Sequence, residues 1–307
     1  MNTSKKSERP KLILTALCFL AVYFIWGSTY LGISISIKTA PIFVASGVRF
    51  LCAGALLMVC ALLTGVSPPT RPNISVAVKS GLLAFFVSYG LISWAEKILP
   101  SSTTALLVSL EPAMLVAFDW LFFNGPKPGR RIVSYQLLGV VGVAVLIVGE
   151  RTSPANGVRL TEYALALAAV IFSGFSWIYG ALLASKSGDS HSNTAMASGL
   201  QMFCGGIFFA VAAVFTGGFG HMGEISRESW LAILYLITFG SIIAYSSYML
   251  LLRTQPASKV STHAFVNPIV AVALGWAIAD ETVTVFTAVS TALIVLSTAG
   301  IIRERGA

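Results

Sequence analysis

Ten apolar stretches, separated by short polar or Gly/Ser-rich connections, dominate the residue pattern of the chain. Each is about 20 residues long, the length that a helix rising about 1.5 Å per residue needs to cross a hydrocarbon core of about 30 Å. The stretches cover residues 12–33, 42–63, 77–96, 101–123, 132–149, 160–184, 193–216, 229–252, 256–279 and 283–302. The pattern predicts an all-α integral membrane protein with ten transmembrane helices and very short connections.

Composition supports this fold class. The 307 residues are 56% hydrophobic and only 10% charged, whereas about 25% of residues are charged in soluble domains, so a water-soluble fold is all but excluded. At the N-terminus, Lys5 and Lys6 precede an apolar run from Leu12 to about Ile33. This run is too long for a signal peptide and predicts a retained first span. The four cysteines lie within apolar segments and are interpreted as small buried side chains: Cys18, Cys52, Cys60 and Cys204.

The basic residues are unevenly divided between the two sides of the predicted bundle. With the N-terminus inside, fourteen of the 20 lie on the cytoplasmic side: Lys5, Lys6, Arg9, Lys11, Arg71, Lys79, Lys127, Arg130, Arg131, Lys186, Arg253, Lys259, Arg303 and Arg305. Five lie on the opposite side and one within a span: Lys38, Lys97, Arg151, Arg159, Arg227 and, in the span, Arg49. Because cytoplasmic loops are enriched in Lys and Arg, this bias predicts that both termini are cytoplasmic. The formal net charge of +8 comes from these loops and not from a basic surface stripe, which argues against nucleic-acid binding.

The chain also contains an internal duplication. Residues 45–54 and 197–206 align without gaps and are identical at five of ten positions, including an Ala-Ser-Gly start in each. An offset of 156 matches further pairs: Tyr89 with Tyr245, Pro100 with Pro256, Glu111 with Asn267 and Pro112 with Pro268. Each unit holds five spans, an odd number, so the two units must cross the membrane in opposite senses. Inverted repeats of this kind are typical of secondary transporters, whose substrate site lies near the midplane between the halves.

We therefore expect four segments: a cytoplasmic N-terminal tail of residues 1–11, a first five-helix repeat over 12–149, a second over 160–302, and a cytoplasmic C-terminal tail of residues 303–307.

Several short motifs make the chain resemble the EamA-type transporters of the drug/metabolite transporter superfamily over about residues 14–302. They are Phe24-Ile25-Trp26-Gly27-Ser28-Thr29-Tyr30, Gly47-Val48-Arg49-Phe50, Trp94-Ala95-Glu96-Lys97 with Pro100, Leu106 and Glu111-Pro112, and the run from Pro256 to Pro268. The chain departs from many members after the fourth span, where it has Asn124-Gly125-Pro126 in place of a Gly-Glu pair, while Asp280-Glu281 keeps an acidic pair in the second half. The resemblance implies an inner-membrane exporter of small metabolites, amino acids or drugs that works by alternating access.

Two prolines and two charged residues are the strongest candidates for the mechanism. Pro112 and Pro268 are the mid-span prolines and predict hinges, with a tolerated packing kink as the alternative. Glu111 lies about 16 Å into the hydrocarbon core and Arg49 about 12 Å down from the same side. Charges at such depth need a partner or water. Three roles stay open: a structural Arg49–Glu111 ion pair, binding of substrate or a proton, or an Arg49 that snorkels outward.

The other candidates are polar or aromatic. His263 and Asn267 share one face of the ninth span, and the resemblance implies that a set of aromatic residues lines the cavity, with an interfacial belt as the alternative. The predicted substrate-binding set is Trp26, Ser28, Tyr30, Arg49, Tyr89, Trp94, Glu111, Trp177, Tyr179, Tyr245, His263 and Asn267.

The predicted function is secondary-active export of a small metabolite or drug. An importer or facilitator of the same fold is the alternative, and an intramembrane enzyme or a channel fits less well because no Ser-His, paired-Asp or filter motif is recognisable. No catalytic residue, metal or cofactor is expected. The expected partners are a small-molecule substrate and the lipid bilayer, with proton coupling and a monomeric or homodimeric state left open, and no nucleic acid.

Overall fold

The computed structural model describes residues 4–122, 125–152, 159–185 and 193–306. Within these ranges the protein is a bundle of ten apolar helical segments without β-strands. They are α1 Leu12–Ser36, α2 Ile42–Leu63, α3 Arg71–Ala95, α4 Ser101–Phe122, α5 Arg130–Gly149, α6 Thr161–Ala184, α7 Thr194–Phe215, α8 Arg227–Thr254, α9 His263–Ile278 and α10 Val285–Arg305. All but α9 are long and apolar enough to span a membrane. The predicted ten-helix fold class is confirmed.

The repeat-related helices α2 and α7 pack directly on each other through glycines of the duplicated motif. A Cβ at Gly54 would lie 2.5 Å from the Phe203 nitrogen, and one at its repeat mate Gly206 would lie 2.6 Å from the Leu51 nitrogen. Backbones can approach this closely only where no side chain intervenes, the usual role of small residues between membrane helices. The duplicated sequence therefore encodes the contact between the two halves.

A second glycine seam joins α5 to α10. Added Cβ atoms at Gly139, Gly142 and Gly149 would meet the side chains of Ser297, Ile294 and Phe286 at 2.7, 2.8 and 2.3 Å. These three glycines therefore pack within the bundle, between α5 and α10.

Three helices contain a π-helical segment in mid-span: Ala21–Ile25 in α1, Gly81–Val87 in α3 and Leu236–Ile243 in α8. The segments in α3 and α8 occupy corresponding positions, because an offset of 156 brings 81–87 onto 237–243. A π-helical turn leaves backbone carbonyls less regularly bonded and is frequent at functional sites. No expectation from the sequence included these segments.

The predicted spans that carry the mid-span prolines are both interrupted. In α4 the helix ends at Val108, turns at Ser109 and Leu110, and resumes at Glu111, so Pro112 lies in the first turn of a new helix, where its missing N–H is tolerated. In the second half a short helix, Ala257–Val260, is followed by a turn before α9, and Pro268 lies inside α9. The predicted single span over 256–279 is therefore two pieces.

One expectation about the cysteines is wrong. Cys18 and Cys204 are buried, but Cys52 and Cys60 are exposed. Both lie on the outward surface of α2, where a small apolar side chain faces lipid in a membrane and loses nothing by leaving the core.

Candidate functional site

A cavity of about 480 Å³ lies between the two halves of the bundle. Its walls come from α1, α3, α4, α6, α9 and α10, together with the turn before α9. The lining residues are Trp26, Thr29, Tyr30, Ile33, Ser88, Tyr89, Ile92, Ala105, Val108, Ser109, Glu111, Pro112, Leu115, Ser173, Gly174, Trp177, Tyr248 (from α8), Ser261, His263, Ala264, Asn267, Pro268, Ile301, Ile302 and Arg305. A volume in this range suits a small organic molecule.

We infer that the mouth of the cavity lies at the end of the bundle that carries the C-terminus, because the lining residue Arg305 is exposed there. There Arg305, in the last turn of α10, is exposed and pairs with Asp119 at 3.3 Å. At the opposite end the lining residues Ile33, Ile92 and Ala105 are buried.

That opposite end is closed by polar contacts that cross between helices, here called the Glu281 seal. The Glu281 carboxylate accepts hydrogen bonds from the backbone nitrogens of Ser101 and Ser102 at 2.8 and 3.1 Å and from both serine hydroxyls. It thereby caps the otherwise unbonded N–H groups at the start of α4. Beside it, Lys97 Nζ donates to the carbonyl of Ile37. The second half of the protein is thus fastened to the first at this end.

Next to the seal lies a buried carboxyl group without a partner. Glu96, which follows the last residue of α3, is 7% exposed, and neither of its carboxylate oxygens has a hydrogen-bond partner in the described structure. Burial raises the pKa of Glu96 well above its usual range; nearby Glu281 raises it further, and Arg49 lowers it. Because an ionised carboxylate is costly to bury unpaired, burial favours the protonated form of Glu96 in this conformation.

Two Trp–Tyr pairs form the aromatic part of the site; their tyrosines are repeat mates, and their tryptophans lie on the first helix of each half. Trp26 of α1 lies 6.4 Å from Tyr245, and Trp177 of α6 lies 6.2 Å from Tyr89, measured between ring centroids. The Trp26 indole nitrogen also donates to the carbonyl of Gly240 at 3.2 Å, within the π-helical segment of α8. The irregular backbone of α8 thus supplies the acceptor that orients one of the two tryptophans.

Glu111 is the acidic side chain among the described lining residues. It begins the resumed helix of α4, and no hydrogen bond or ion pair of its carboxylate is formed with described residues. Tyr30, Tyr89 and Tyr248 line the same cavity. A carboxylate placed in an aromatic cavity without a protein partner is available to a ligand or a proton.

The repeat mate of Glu111 has a different environment. Asn267 is 7% exposed, and with its amide nitrogen toward α1 it donates to the carbonyls of Val22 and Tyr23 at 3.2 and 3.1 Å. These carbonyls belong to the π-helical segment of α1. His263, one turn before Asn267, packs edge-on against Trp26 and Tyr248 with centroids 5.3 and 5.5 Å away. Asn267 therefore satisfies backbone groups of α1, while His263 completes an aromatic wall.

The ion pair considered between Arg49 and Glu111 is not formed. Arg49 is buried, but its Nε donates to the Ser241 hydroxyl at 2.9 Å, and its guanidinium lies 4.8 Å from the ring centroid of Phe50 and 5.0 Å from that of Tyr89. Tyr89 lines the cavity and Arg49 does not. Cation–π contacts and a hydroxyl in the π-helical segment of α8 have taken the place of the carboxylate.

The structure divides the predicted substrate-binding residues into two groups. Seven line the cavity, as do both predicted hinge prolines. The remaining residues do not: Ser28, Arg49, Trp94, Tyr179 and Tyr245. Trp94 and Tyr179 point outward and are 39% and 37% exposed, whereas Tyr245 packs behind Trp26. Whether the lining residues contact substrate stays a prediction.

Several lining residues were not in the predicted set. Ser88 and Ser173 hydrogen-bond to each other across α3 and α6 at 2.9 Å, and the ring of Tyr248 packs at a tilt against Trp26 with centroids 4.8 Å apart. Small hydroxyls in apolar helices also serve helix packing, so their sequence positions carry no specific signal. Arg305 belongs to the predicted C-terminal tail, and its place at the cavity mouth follows only from the helix packing.

Two related five-helix halves that enclose a cavity open at one end define a multi-pass membrane protein of the transporter type. The family model of the EamA-like transporter family matches residues 13–148 and 160–303, and the chain belongs to this family. It is therefore a membrane transporter of the EamA family, as the motifs in the sequence predicted.

Curated relatives agree with this assignment. The uncharacterized inner membrane transporter YedA of Escherichia coli strain K12 is 33% identical over 85% of this chain and 82% of its own length. Protein PecM of Dickeya dadantii is 26% identical over 82% of this chain and 80% of its own. A protein crystal structure, 18% identical, aligns with a TM-score of 0.65 over 95% of this chain and 98% of that chain. At that identity it shows the fold alone.

Proposed function

We propose that the protein is a secondary-active exporter of small metabolites, such as amino acids or related compounds, or of drugs, and that it works by alternating access in the inner membrane. The observation that carries the proposal is the single-ended cavity between the halves. It opens beside Arg305 and is closed at the other end by the Glu281 seal. A transporter that alternates must break this seal and close the mouth at Arg305 in its other state.

The direction of export is implied by the family resemblance, and the orientation decides which side of the membrane the cavity faces. The excess of Lys and Arg on one side supports cytoplasmic termini, and YedA is named an inner membrane transporter. With this orientation the cavity faces the cytoplasm, which is the loading state of an exporter. It is equally the release state of an importer, so the direction needs its own measurement.

Movement between the two states is proposed to occur at the interrupted helices. Pro112 and Pro268 both line the cavity, and the carbonyl of Ser109 in the α4 interruption is held by the Thr298 hydroxyl at 2.9 Å. A backbone segment without continuous helical bonds bends at lower cost than an intact helix. Glu111, one residue from the interruption, is placed to exchange a substrate or a proton as the cavity changes sides.

Transport and direction can be tested in proteoliposomes. Vesicles loaded with a labelled mixture of amino acids and small amines should release at least one compound faster than protein-free vesicles. Glu111→Gln should slow that release, while Glu228→Gln, at an exposed end of α8, should leave it unchanged. If every compound leaves the loaded vesicles no faster than it leaves protein-free vesicles, transport is contradicted. If protein inserted in one known orientation takes a compound up but does not release it, the importer is favoured.

An intramembrane enzyme would need reactive groups brought together in the bundle. His263 instead packs between Trp26 and Tyr248, with its Nδ1 facing Asn267 at 3.5 Å. Family membership and the cavity favour transport without catalysis.

A further inference from the structure

We propose that the cavity binds small organic cations, amines with an aromatic or apolar body and no carboxylate, in preference to zwitterionic amino acids. This rests on the proposed transport function and narrows its substrate class. The observation behind it is an imbalance of charge: the cavity holds a carboxylate without a partner and no unpaired cation among its described lining residues.

The negative side of this imbalance is Glu111. Its carboxylate lines the cavity and forms no hydrogen bond or ion pair with the described residues, although it lies in the middle of the bundle. Glu111 lies in the first turn of the resumed α4 helix, so the compensating charge there is the partial positive charge of the helix N-terminus. An ionised group at membrane depth is stabilised by a counter-charge or water. Either of these can reach Glu111 through the cavity.

The basic side chains in and beside the cavity already have contacts. His263 packs edge-on against Trp26 and Tyr248. Arg305 pairs with Asp119 at the mouth, and Arg49 lies outside the lining, bonded to Ser241 and packed on the rings of Phe50 and Tyr89. A substrate carboxylate at the level of Glu111 would therefore find no cation to meet it. Burying an unpaired charge is costly, and the like charge of Glu111 adds repulsion.

The aromatic walls fit the body and the charge of an amine. The tryptophans Trp26 and Trp177 line the cavity from opposite halves, and Tyr30, Tyr89 and Tyr248 line it together with Glu111. The faces of Trp and Tyr rings attract cations and also cover apolar surface. An amine can place its charged end between Glu111 and these rings and its apolar body along the tryptophans.

The test uses four ligands that share one phenylethyl frame. Phenethylamine is a cation, phenylalanine a zwitterion, phenylacetate an anion and 2-phenylethanol neutral. Binding to the full-length purified protein in lipid nanodiscs is measured by titration calorimetry at pH 7.5. We expect phenethylamine to bind at least about tenfold more tightly than each of the other three.

Variants at Glu111 separate charge from folding. Glu111→Gln should weaken phenethylamine by about tenfold and leave 2-phenylethanol unchanged, whereas Glu111→Asp should keep most of the preference because it keeps the charge. The exposed Glu228→Gln serves as the matched control. All variants should elute as single peaks in size-exclusion chromatography, and unchanged 2-phenylethanol binding shows that the cavity is intact.

The outcomes distinguish this inference from the proposed function. Phenylalanine binding as tight as phenethylamine, or a preference for the amine that survives Glu111→Gln, overturns the inference even if transport is observed. Amine binding that depends on Glu111 supports the inference, and if no compound is then released from proteoliposomes, it is the transport function that fails.

Discussion

Removal of the Glu281 side chain should open the closed end of the cavity. In this conformation one carboxylate accepts hydrogen bonds from the backbone nitrogens and the hydroxyls of Ser101 and Ser102. Glu281→Ala removes all of these contacts. If the other conformation breaks the same contacts, the substitution destabilises the sealed state and leaves the free energy of the open state unchanged. The equilibrium then shifts toward the open state.

The size of the shift follows from the hydrogen bonds. A bond to a charged acceptor contributes about 1.5–3 kcal/mol when it is protected from water. The seal lies at the end of the bundle, where water can replace part of what is lost, so about 2–3 kcal/mol for the whole group is a reasonable expectation. This corresponds to a change of about 30- to 150-fold in the ratio of open to sealed protein.

Cysteine labelling can measure the shift. A cysteine introduced at Ile92, a buried lining residue near the seal, is placed in a background without the native cysteines and exposed to a membrane-impermeant thiol reagent from the seal side. Its labelling rate should rise with the open population when Glu281→Ala is added. The control is Asp280→Asn, because Asp280 has a φ of 55° and asparagine tolerates this left-handed conformation. Equal labelling rates in the Glu281→Ala and Asp280→Asn proteins would refute the role of the seal.

Three further predictions concern the groups around the site. The fraction of protein with an open seal should increase as the pH on that side rises above the ordinary range of glutamate pKa values, because the sealed state binds the Glu96 proton more tightly than a hydrated open state does. In the same labelling assay, Glu96→Gln should make the labelling rate nearly independent of pH. Gly54→Ala should lower the thermal midpoint measured by fluorescence-detected size-exclusion chromatography, since its Cβ would lie 2.5 Å from backbone and cost about 1–3 kcal/mol, whereas Gly220→Ala, with no atom within 4 Å, should not. Trp26→Phe should remove about 1 kcal/mol by deleting the bond to Gly240 and speed amide exchange in the π-helical segment of α8; unchanged exchange would contradict that orienting role.

Much of the fold was predictable because lipid imposes strong constraints on the sequence. Spans of about 20 apolar residues follow from the bilayer thickness, and the duplicated Ala-Ser-Gly motif identified α2 and α7 as related helices before their contact was known. The details that failed depend on tertiary structure. Cys52 and Cys60 have the same apolar character as buried residues, and only the packing decides which face of α2 meets lipid. The first π-helical turn, Ala21–Ile25, has no distinctive residue pattern.

The candidate site was predictable in composition but not in pairing. Glu111 and Arg49 were recognised because buried charges are rare, and an ion pair was the simplest way to compensate both. Instead Arg49 is compensated by Ser241 and aromatic rings, an arrangement that involves three helices and leaves Glu111 free. The position of a residue along a span gives its depth in the membrane. It does not say which neighbouring helix the side chain faces.

The duplication repeats one aromatic contact in and beside the cavity, whereas the repeat mates Glu111 and Asn267 differ in charge. The pairs Trp26–Tyr245 and Trp177–Tyr89 repeat the same contact in both halves, as expected if each half must adopt the role of the other when the cavity changes sides. Glu111 breaks the symmetry, because its mate is Asn267, whose amide is committed to the backbone of α1. A second carboxylate at position 267 would repel Glu111 and would leave the carbonyls of α1 without a donor. In the proposed mechanism the aromatic pairs exchange roles between the two states, while the Glu111 carboxylate stays on α4 and ties a bound cation to the first half.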